Sequence, residues 1–506
     1  MASKDALKEL SSTLSQARIL LAADVSKELV EGVDINTIVT RLIELHKSDT
    51  GISVATKAEI SSIMNEMASE KVPMPVEVIR QAGFKPSAAD IDAYYKITNK
   101  ERLTTEGSTS DFVSHFRNRL EKIRRIIEER RIGASLAQNI SSTRGFMSGR
   151  EVTVVGIVTT KIVTKKGNIM VVIEDDTADL KVMFMNGTSQ QSKSLFESSK
   201  RLINDEVIAI RGKISNQFLM ANEILWPDVP IKEQRTTKDD VAIAFMSDIH
   251  VGSRQFMEKN FEKMLKWLNG EMQSREDALA GKIKYIIMAG DVADGVGIYP
   301  DQEYELSVPD IYLQYKLLFN FIGMIPDYIH VFVMPGNHDA VGRAEPQPAL
   351  GEELIKDFKL DNVHIVTNPS TLNLHGIDVL AYHGTSLDSI IRAIPDLSYA
   401  APEKAMVEVL KRRHLSPIYG GNVIVPSRED QLVIDRIPDI MHMGHIHKNG
   451  IAEYHGVKIV NSGTWQGPTA LQQRSGHIPT PCILPVYETA KGAFASINFE
   501  NGEKWK

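Results

Sequence analysis

After residue 240 the chain repeats one pattern, an apolar run that ends in a polar cluster: VAIAFMSD, KYIIMAGD, IHVFVMPGN and DIMHMGHIH. A run with no alternation of polar and apolar residues predicts a strand buried on both faces, and the helical periods between the runs predict a layered α/β domain over 236–506. In such domains the carboxyl ends of the strands carry the ligand-binding groups. Every polar cluster in this half of the chain falls at such an end.

The preceding part of the chain changes character three times. Residues 1–70 carry apolar side chains at helical spacing, as in Ile35, Ile38, Val39, Leu42 and Leu45 behind an N-terminal cap at Asp34, and predict a small helical domain. Residues 71–148 read as a linker containing Pro73, Pro75, Pro86 and one short helix, followed by an amphipathic basic helix from 110. Its Arg117, Arg119, Lys122, Arg124 and Arg125 suit phosphate contacts or pairing with neighbours such as Glu121, Glu128 and Glu129, the second being the commoner fate of a charged helix face. From 149 to 235, β-branched runs separated by turn residues at KKGN, DDTAD and IND predict about five strands closing a small barrel, with Gly156 inside the first strand. That arrangement resembles an OB-fold. Its strands offer few aromatic platforms, so docking of a partner is as well supported as binding of a single nucleic-acid strand.

Composition narrows the chemistry. A chain of 506 residues that is 42% hydrophobic and 24% charged is a folded protein of about three domains. With 58 Lys and Arg against 65 Asp and Glu, the net charge of -7 excludes a blanket nucleic-acid-binding surface but not a local one. The single cysteine, Cys482, cannot form an internal disulfide or a thiolate metal cluster. The amino terminus lacks a signal-peptide core, and no stretch approaches the roughly 18 apolar residues that span a bilayer, so a cytoplasmic protein without a membrane role is expected. Of the 14 histidines, all but His46 and His115 follow residue 236.

Five of those histidines belong to a series of polar clusters: Asp248-Ile249-His250, Gly290-Asp291, Gly336-Asn337-His338-Asp339, Tyr382-His383-Gly384 and Gly444-His445-Ile446-His447. Each fragment alone is commonplace, because Gly-Asp is a turn and a single strand histidine is usually a satisfied core residue. Five in order, each directly after an apolar strand, point to a metal-assisted hydrolase of phosphate esters built on imidazole and oxygen ligands.

The series D-x-H, G-D, G-N-H-D, H-G and G-H-x-H resembles the calcineurin-like metallophosphoesterases. The longer strings MSDIHVGS, GDVADGVGIYP, MPGNHDAVGR and NSGTWQGPT resemble the small-subunit family of archaeal D-family DNA polymerases over residues 145–500. The resemblance implies an α/β fold, a calcineurin-like metallophosphoesterase sandwich preceded by an OB-fold β-barrel and a helical N-terminal domain. It implies two divalent metal ions bridged by Asp291, the first held by Asp248, His250 and His447 and the second by Asn337, His383 and His445. Such ligands suit Mn²⁺, Fe or Zn²⁺, and the resemblance favours Mn²⁺.

In the reaction so implied, hydroxide generated at the metals attacks phosphorus in line with the leaving oxygen. His338 protonates that oxygen or stabilises the transition state, and Asp339 holds the imidazole in orientation. Tyr299 and Arg343 are expected at the substrate, with Arg392, Lys411, Arg412, Arg413 and Lys448 as further positive charge. The expected function is 3′-to-5′ proofreading exonuclease activity at a DNA primer 3′ end, in a small subunit that also scaffolds a large catalytic polymerase subunit. The alternatives are a non-catalytic accessory subunit with a vestigial metal site and a phosphatase for small phosphomonoesters. The complete ligand set counts against the first, since clustered buried charge is costly without a metal, and the extra domains count against the second.

Overall fold

In the computed structural model, which describes residues 6–25, 35–47, 51–70, 84–99, 105–130, 137–143, 145–272, 277–358 and 360–501, the first helices are Ala6–Gln16, Ile35–Leu45 and Lys57–Glu70. Leu10, Leu14, Ile38, Leu42, Ile60 and Ile63 close on one another as their shared core. The expected helical module also contains two strands, β1 (Ile19–Leu21) and β2 (Ser53–Ala55), paired in parallel. Three residues are too few to display a period of two, so sequence periodicity does not reveal them. Asp34, Pro73 and Pro75 lie outside the described residues.

The stretch expected to be a linker is only partly one. Ser87–Asp90 forms the short helix, a 3-10 turn, but β3 (Tyr95–Asn99) is an edge strand of a large sheet completed much later in the chain. Tyr95 and Ile97 point into that sheet's core. The helix Thr109–Glu129 then starts from a capping box in which Ser108 and Asp111 each accept a hydrogen bond from the other's main-chain N–H. Its Leu120, Ile123 and Ile127 bury against Val155, Ile157, Val207 and Val433.

Five strands follow: β4 (Glu151–Val163), β5 (Ile169–Glu174), β6 (Asp179–Phe184), β7 (Val207–Ser215) and β8 (Phe218–Leu225). They form a closed barrel in the order β4-β5-β6-β8-β7, with β6 and β8 parallel and the other neighbours antiparallel. Closure depends on the long β4, which pairs with β7 through Glu151–Ile157 and with β5 through Ile157–Val163. At the changeover a Cβ on Gly156 would lie 2.7 Å from the Glu174 carbonyl oxygen, which is why glycine stands there.

The remaining strands are β9 (Ala242–Met246), β10 (Ile283–Ala289), β11 (His330–Met334), β12 (Val363–Ile365), β13 (Ser370–Leu374), β14 (Ile377–Ala381), β15 (Ile440–Met443), β16 (Asn449–Tyr454), β17 (Val457–Ser462), β18 (Ile483–Glu488) and β19 (Ala493–Asn498). They make two six-stranded sheets, β12-β11-β10-β9-β18-β19 and β16-β17-β15-β14-β13-β3. Alternation of side chains explains the layers. Ile243, Phe245, Tyr285, Ile287 and Phe332 of the first sheet meet Leu372, Leu374, Val379, Ile440 and Val460 of the second. Ala242, Ala244, Met246, Ile286 and Met288 point the other way, under the helices Glu258–Leu268 and Ile311–Gly323. Leu380, Met441 and Met443 likewise pack under Leu387–Ala393 and Pro402–Arg412. Each fully buried aliphatic or aromatic side chain contributes roughly 1.5–3 kcal/mol, so the sandwich is fixed by the continuous apolar runs.

Buried ion pairs join the barrel and the basic helix to the sandwich. Arg412 Nε lies 2.9 Å from Glu206 Oε2, beside a pairing with Glu408, and Arg119 Nε donates to Asp430 Oδ2 at 2.7 Å. The cations of the basic helix go mostly to carboxylates distant in sequence: Lys122 meets Glu429 and Asp435, Arg117 meets Asp176, and Arg125 pairs locally, with Glu129.

Candidate metal centre

Strands β9, β10 and β11 are mutually parallel, and so are β14 and β15, so their carboxyl ends form one rim. Just beyond those ends the chain turns sharply and presents the clustered side chains. Asp248, His250, Asp291, His445 and His447 all have left-handed backbones, with φ between 51° and 66°. Such conformations cost non-glycine residues of order 1–3 kcal/mol each and persist where surrounding structure enforces them. Here main-chain bonds do so: Asp248 N–H donates to the Gly290 carbonyl, and His250 N–H to that of Asp291. From the NSGTWQGPT segment, Thr464 Oγ1 donates to the Asp248 carbonyl at 2.8 Å. Gly336 leaves room for Asp291, whose Oδ1 a Cβ there would strike.

The side chains form two adjoining groups. Asp248 Oδ1 lies 3.3 Å from His447 Nε2 and 4.0 Å from His250 Nε2, and the two imidazole Nε2 atoms are 3.1 Å apart. Asp291 Oδ2 stands between the groups, 3.9 Å from His250 Nε2 and 3.3 Å from His383 Nε2. His383 Nε2 is also 3.0 Å from Asn337 Oδ1, while its Nδ1 is 2.9 Å from the Ala289 carbonyl. One nitrogen of His445 comes within 4.8 Å of ligand atoms of Asp291 and His383. His445 Nε2 is 3.3 Å from Asp388 Oδ2.

These residues fit divalent cations. Asp248 Oδ2 accepts the His445 main-chain N–H at 2.9 Å, but Oδ1, facing the two imidazoles, is buried without a hydrogen-bond partner. A buried carboxylate oxygen left so costs free energy unless a positive charge meets it. The electrostatics agree. Burial alone would lower His250 and His383, yet Asp294 and Asp291 pull His250 up to about 9, and Asp291 with Asp248 pulls His383 up to about 10. Burial would raise Asp248 and Asp291, but His447 holds the first below its ordinary range and His383 and His338 hold the second well below it. The carboxylates thus stay ionised, and the site favours bound cations.

The sequence expectations fare unequally beyond the ligands. His338 lines the cleft at the rim, which has a volume of about 630 Å³. Its main-chain N–H donates to Asp291 Oδ1 at 2.8 Å, its ring meets that of His250 edge-on at 4.8 Å, and burial lowers its pKa. It also comes within ligand range of His250 and Asp291. Asp339 does not orient it. The Asp339 carboxylate accepts from the main chains of Val292, Ala293 and Gly336 and from Tyr315 OH, tying two rim loops together, while burial and the nearby Asp291 raise it to about 6. The His338 Nδ1 partner is instead the Asp294 carbonyl, at 2.8 Å.

Tyr299 lines the cleft and donates to Glu305. Arg343 gives a guanidinium N–H to the Ile298 carbonyl at 2.8 Å and so braces the Tyr299 loop. Of the other expected cations, Arg392 and Lys448 line the cleft. Lys411 lies over the Trp226 ring, Arg412 is buried with Glu206 and Glu408, and Arg413 donates to the Ile434 and Asp435 carbonyls, so these three are structural. Sequence reasoning missed Asp388, Tyr399, Gln472 and His477 in the cleft wall, none of which belongs to a recognisable string. It also missed Asp294, which stood inside the quoted GDVADGVGIYP.

The B-subunit family of DNA polymerases alpha and epsilon matches residues 243–450. The DNA polymerase II small subunit of Methanocaldococcus jannaschii is 42% identical over 417 residues, covering 80% of this chain and 68% of that protein. The same subunit of Archaeoglobus fulgidus is 42% identical over 405 residues, 80% of each chain, and that of Methanothermobacter thermautotrophicus is 34% identical over 489 residues, 95% of this chain and 98% of that one. Among solved structures, an archaeal phosphodiesterase is 15% identical over 51% of this chain and 99% of its own, at a TM-score of 0.25, too low to add to the sheet topology. On identity and coverage, the chain belongs to the family of archaeal DNA polymerase II small subunits.

Proposed function

We propose that this subunit is a metal-dependent 3′-to-5′ exonuclease that proofreads at a DNA primer end beside a large polymerase subunit, which it also scaffolds. The observation that carries the reading is the Asp291 carboxylate between His250 on one side and His383 on the other, next to the unpartnered Asp248 Oδ1. Asp248, His250 and His447 would hold one cation and Asn337, His383 and His445 the other, with Asp291 shared. Divalent cations so held, Mn²⁺ suiting these donors, would supply Lewis-acid activation of water and neutralise phosphate charge.

The chain's own groups do the rest. His338 Nδ1–H donates to the Asp294 carbonyl, which leaves Nε2 at the cleft to carry a proton for the departing oxygen, and burial, by lowering the ring's pKa, makes the protonated ring a readier donor. As the water oxygen bonds to phosphorus and sheds its proton to solvent, the bond to the 3′ oxygen on the opposite side breaks and that oxygen takes a proton from His338 Nε2, which solvent then replaces. Arg392 and Lys448 offer positive charge to backbone phosphates, and Tyr299 borders the base.

The layout 1–70, 71–148, 149–235 and 236–506 serves as the domain division, with β3 reassigned to the last unit. The barrel order β4-β5-β6-β8-β7 supports an OB-fold and the sandwich a calcineurin-like phosphoesterase. The buried Arg119 and Arg412 pairings favour a scaffolding role alongside catalysis, because they fix the barrel to the catalytic unit. Among the described residues no helix is long and apolar enough to cross a membrane.

The test offers a 3′-mismatched primer, a matched primer and a phosphomonoester to the chain with Mn²⁺, alone and with its large subunit. Preferential removal of the mismatched nucleotide is expected. Hydrolysis of the phosphomonoester alone, or no hydrolysis with metal bound, refutes the reading.

A further inference from the structure

The cleft carries aromatic rings at two places besides the proposed ligands. Tyr299 stands with His338, their ring centroids 6.2 Å apart, and His338 in turn meets His250. Tyr399 stands in a different group, its ring edge-on to that of His477 with centroids 5.9 Å apart. The Tyr399 hydroxyl donates to the Asp388 carboxylate and accepts from the Arg392 guanidinium, and Asp388 Oδ2 lies 3.3 Å from His445 Nε2. His477 is anchored through Nε2, 2.7 Å from the Ile446 carbonyl, and the next residue, Ile478, is 74% exposed. The polar atoms of Tyr399 and His477 are thus engaged within the protein, and what the pair offers the cleft is apolar ring surface.

The direction of cleavage assigns the two places. His338 gives its proton to the departing 3′ oxygen, so the nucleoside attached to that oxygen, which stays on the primer, lies at the His338 end beside Tyr299. The excised nucleoside is joined to phosphorus through its 5′ oxygen, a bond that does not break and that projects sideways from the line of attack. Its base needs a wall away from His338. Among the residues lining the cleft, Tyr399 and His477 are the rings that belong neither to the proposed cation ligands nor to the His338 end.

Resting on the exonuclease reading above, we propose that Tyr399, backed by His477, is the stacking platform for the base of the excised 3′-terminal nucleotide, while Tyr299 borders the base that remains on the primer. A ring platform takes any of the four bases, because each has a π face, as removal of any misplaced nucleotide requires. A terminal base must leave the duplex stack to reach it, and leaving costs least for a mismatched base. The platform so converts mispairing into access to the cleft.

The experiment measures the affinity of the full chain, with Mn²⁺, for thymidine monophosphate and for deoxyribose phosphate, which has the sugar and phosphate without the base. Stacking of a base on a ring is worth about 5–150-fold in affinity, and the wild-type chain is expected to prefer the nucleotide by that factor. Tyr399→Ala is expected to lose the preference and Tyr399→Phe to keep it, since phenylalanine retains the ring and drops only the hydroxyl contacts with Asp388 and Arg392. Equal loss in both variants would place the effect in the Asp388–His445 contact and overturn the inference. A wild-type chain that lacks the preference yet still trims a mismatched primer also overturns it, with the exonuclease reading intact. A wild-type chain that releases no nucleotide from the primer removes that reading and the assignment of the two bases with it. Thermal midpoints in EDTA control for folding. Should Tyr399→Ala melt early, photo-crosslinking of iododeoxyuridine monophosphate to the wild-type chain decides: attachment at Tyr399 or His477 supports the platform, and attachment at Tyr299 alone overturns it.

Discussion

His338 and the carboxylate beside it in sequence show what local reading can and cannot see. The residues gathered at the rim were legible because each proposed ligand sits in a short string after an apolar strand, and the rim geometry follows from parallel strands. The partner of His338 was not legible. Adjacency in GNHD suggested Asp339, but successive side chains in an extended turn point apart, and Asp339 faces Tyr315 while Asp294 reaches the imidazole from another loop. The role at Nε2 leads to a prediction. His338→Ala should retain Mn²⁺ binding yet lose hydrolysis by about 10²–10⁴-fold, measured as single-turnover release of nucleotide. Unimpaired turnover with metals in place would remove His338 from the reaction.

At the scale of elements, continuous runs and β-branched segments announced the sandwich and the barrel, whereas the strands missed were those set by distant partners. β3 is five residues long and pairs with β13, more than 270 positions later, where no local pattern points. The basic helix is a similar case. Its charge was plain, but the destination of Arg119 was not, since Asp430 lies 311 residues away. That pairing is fully buried, and Arg119 also donates to the Pro417 carbonyl at 2.8 Å. Arg119→Ala leaves the Asp430 carboxylate without its guanidinium and should destabilise the protein by about 3–5 kcal/mol, read from denaturant unfolding. A change within experimental error would show that the helix is not held through this pair.

For the whole molecule, the same junction makes stability depend on pH. His414 accepts the Ser416 N–H at Nδ1 and lies 2.8 Å from Asp430 Oδ2 through Nε2, an arrangement that needs a neutral ring. Burial, with Arg119 close by, lowers it to about 4. Because the unfolded histidine binds its proton near 6.5 and the folded one only near 4, this contribution is complete above pH 6.5 and is lost as pH falls toward 4. By pH 5 the loss amounts to about 2 kcal/mol. His414→Gln should flatten that part of the profile between pH 7 and 5 in unfolding experiments; an unaltered slope would assign it elsewhere.

The barrel, helix and sandwich thus form one framework around a rim whose proposed purpose is to hold cations against phosphate. An anomalous difference map from crystals grown with Mn²⁺ puts that purpose to the test. Two peaks are expected on either side of the Asp291 carboxylate, one against Asp248, His250 and His447 and the other against Asn337, His383 and His445. A map with no peak at Asp291, or with peaks only elsewhere on the protein, would contradict it.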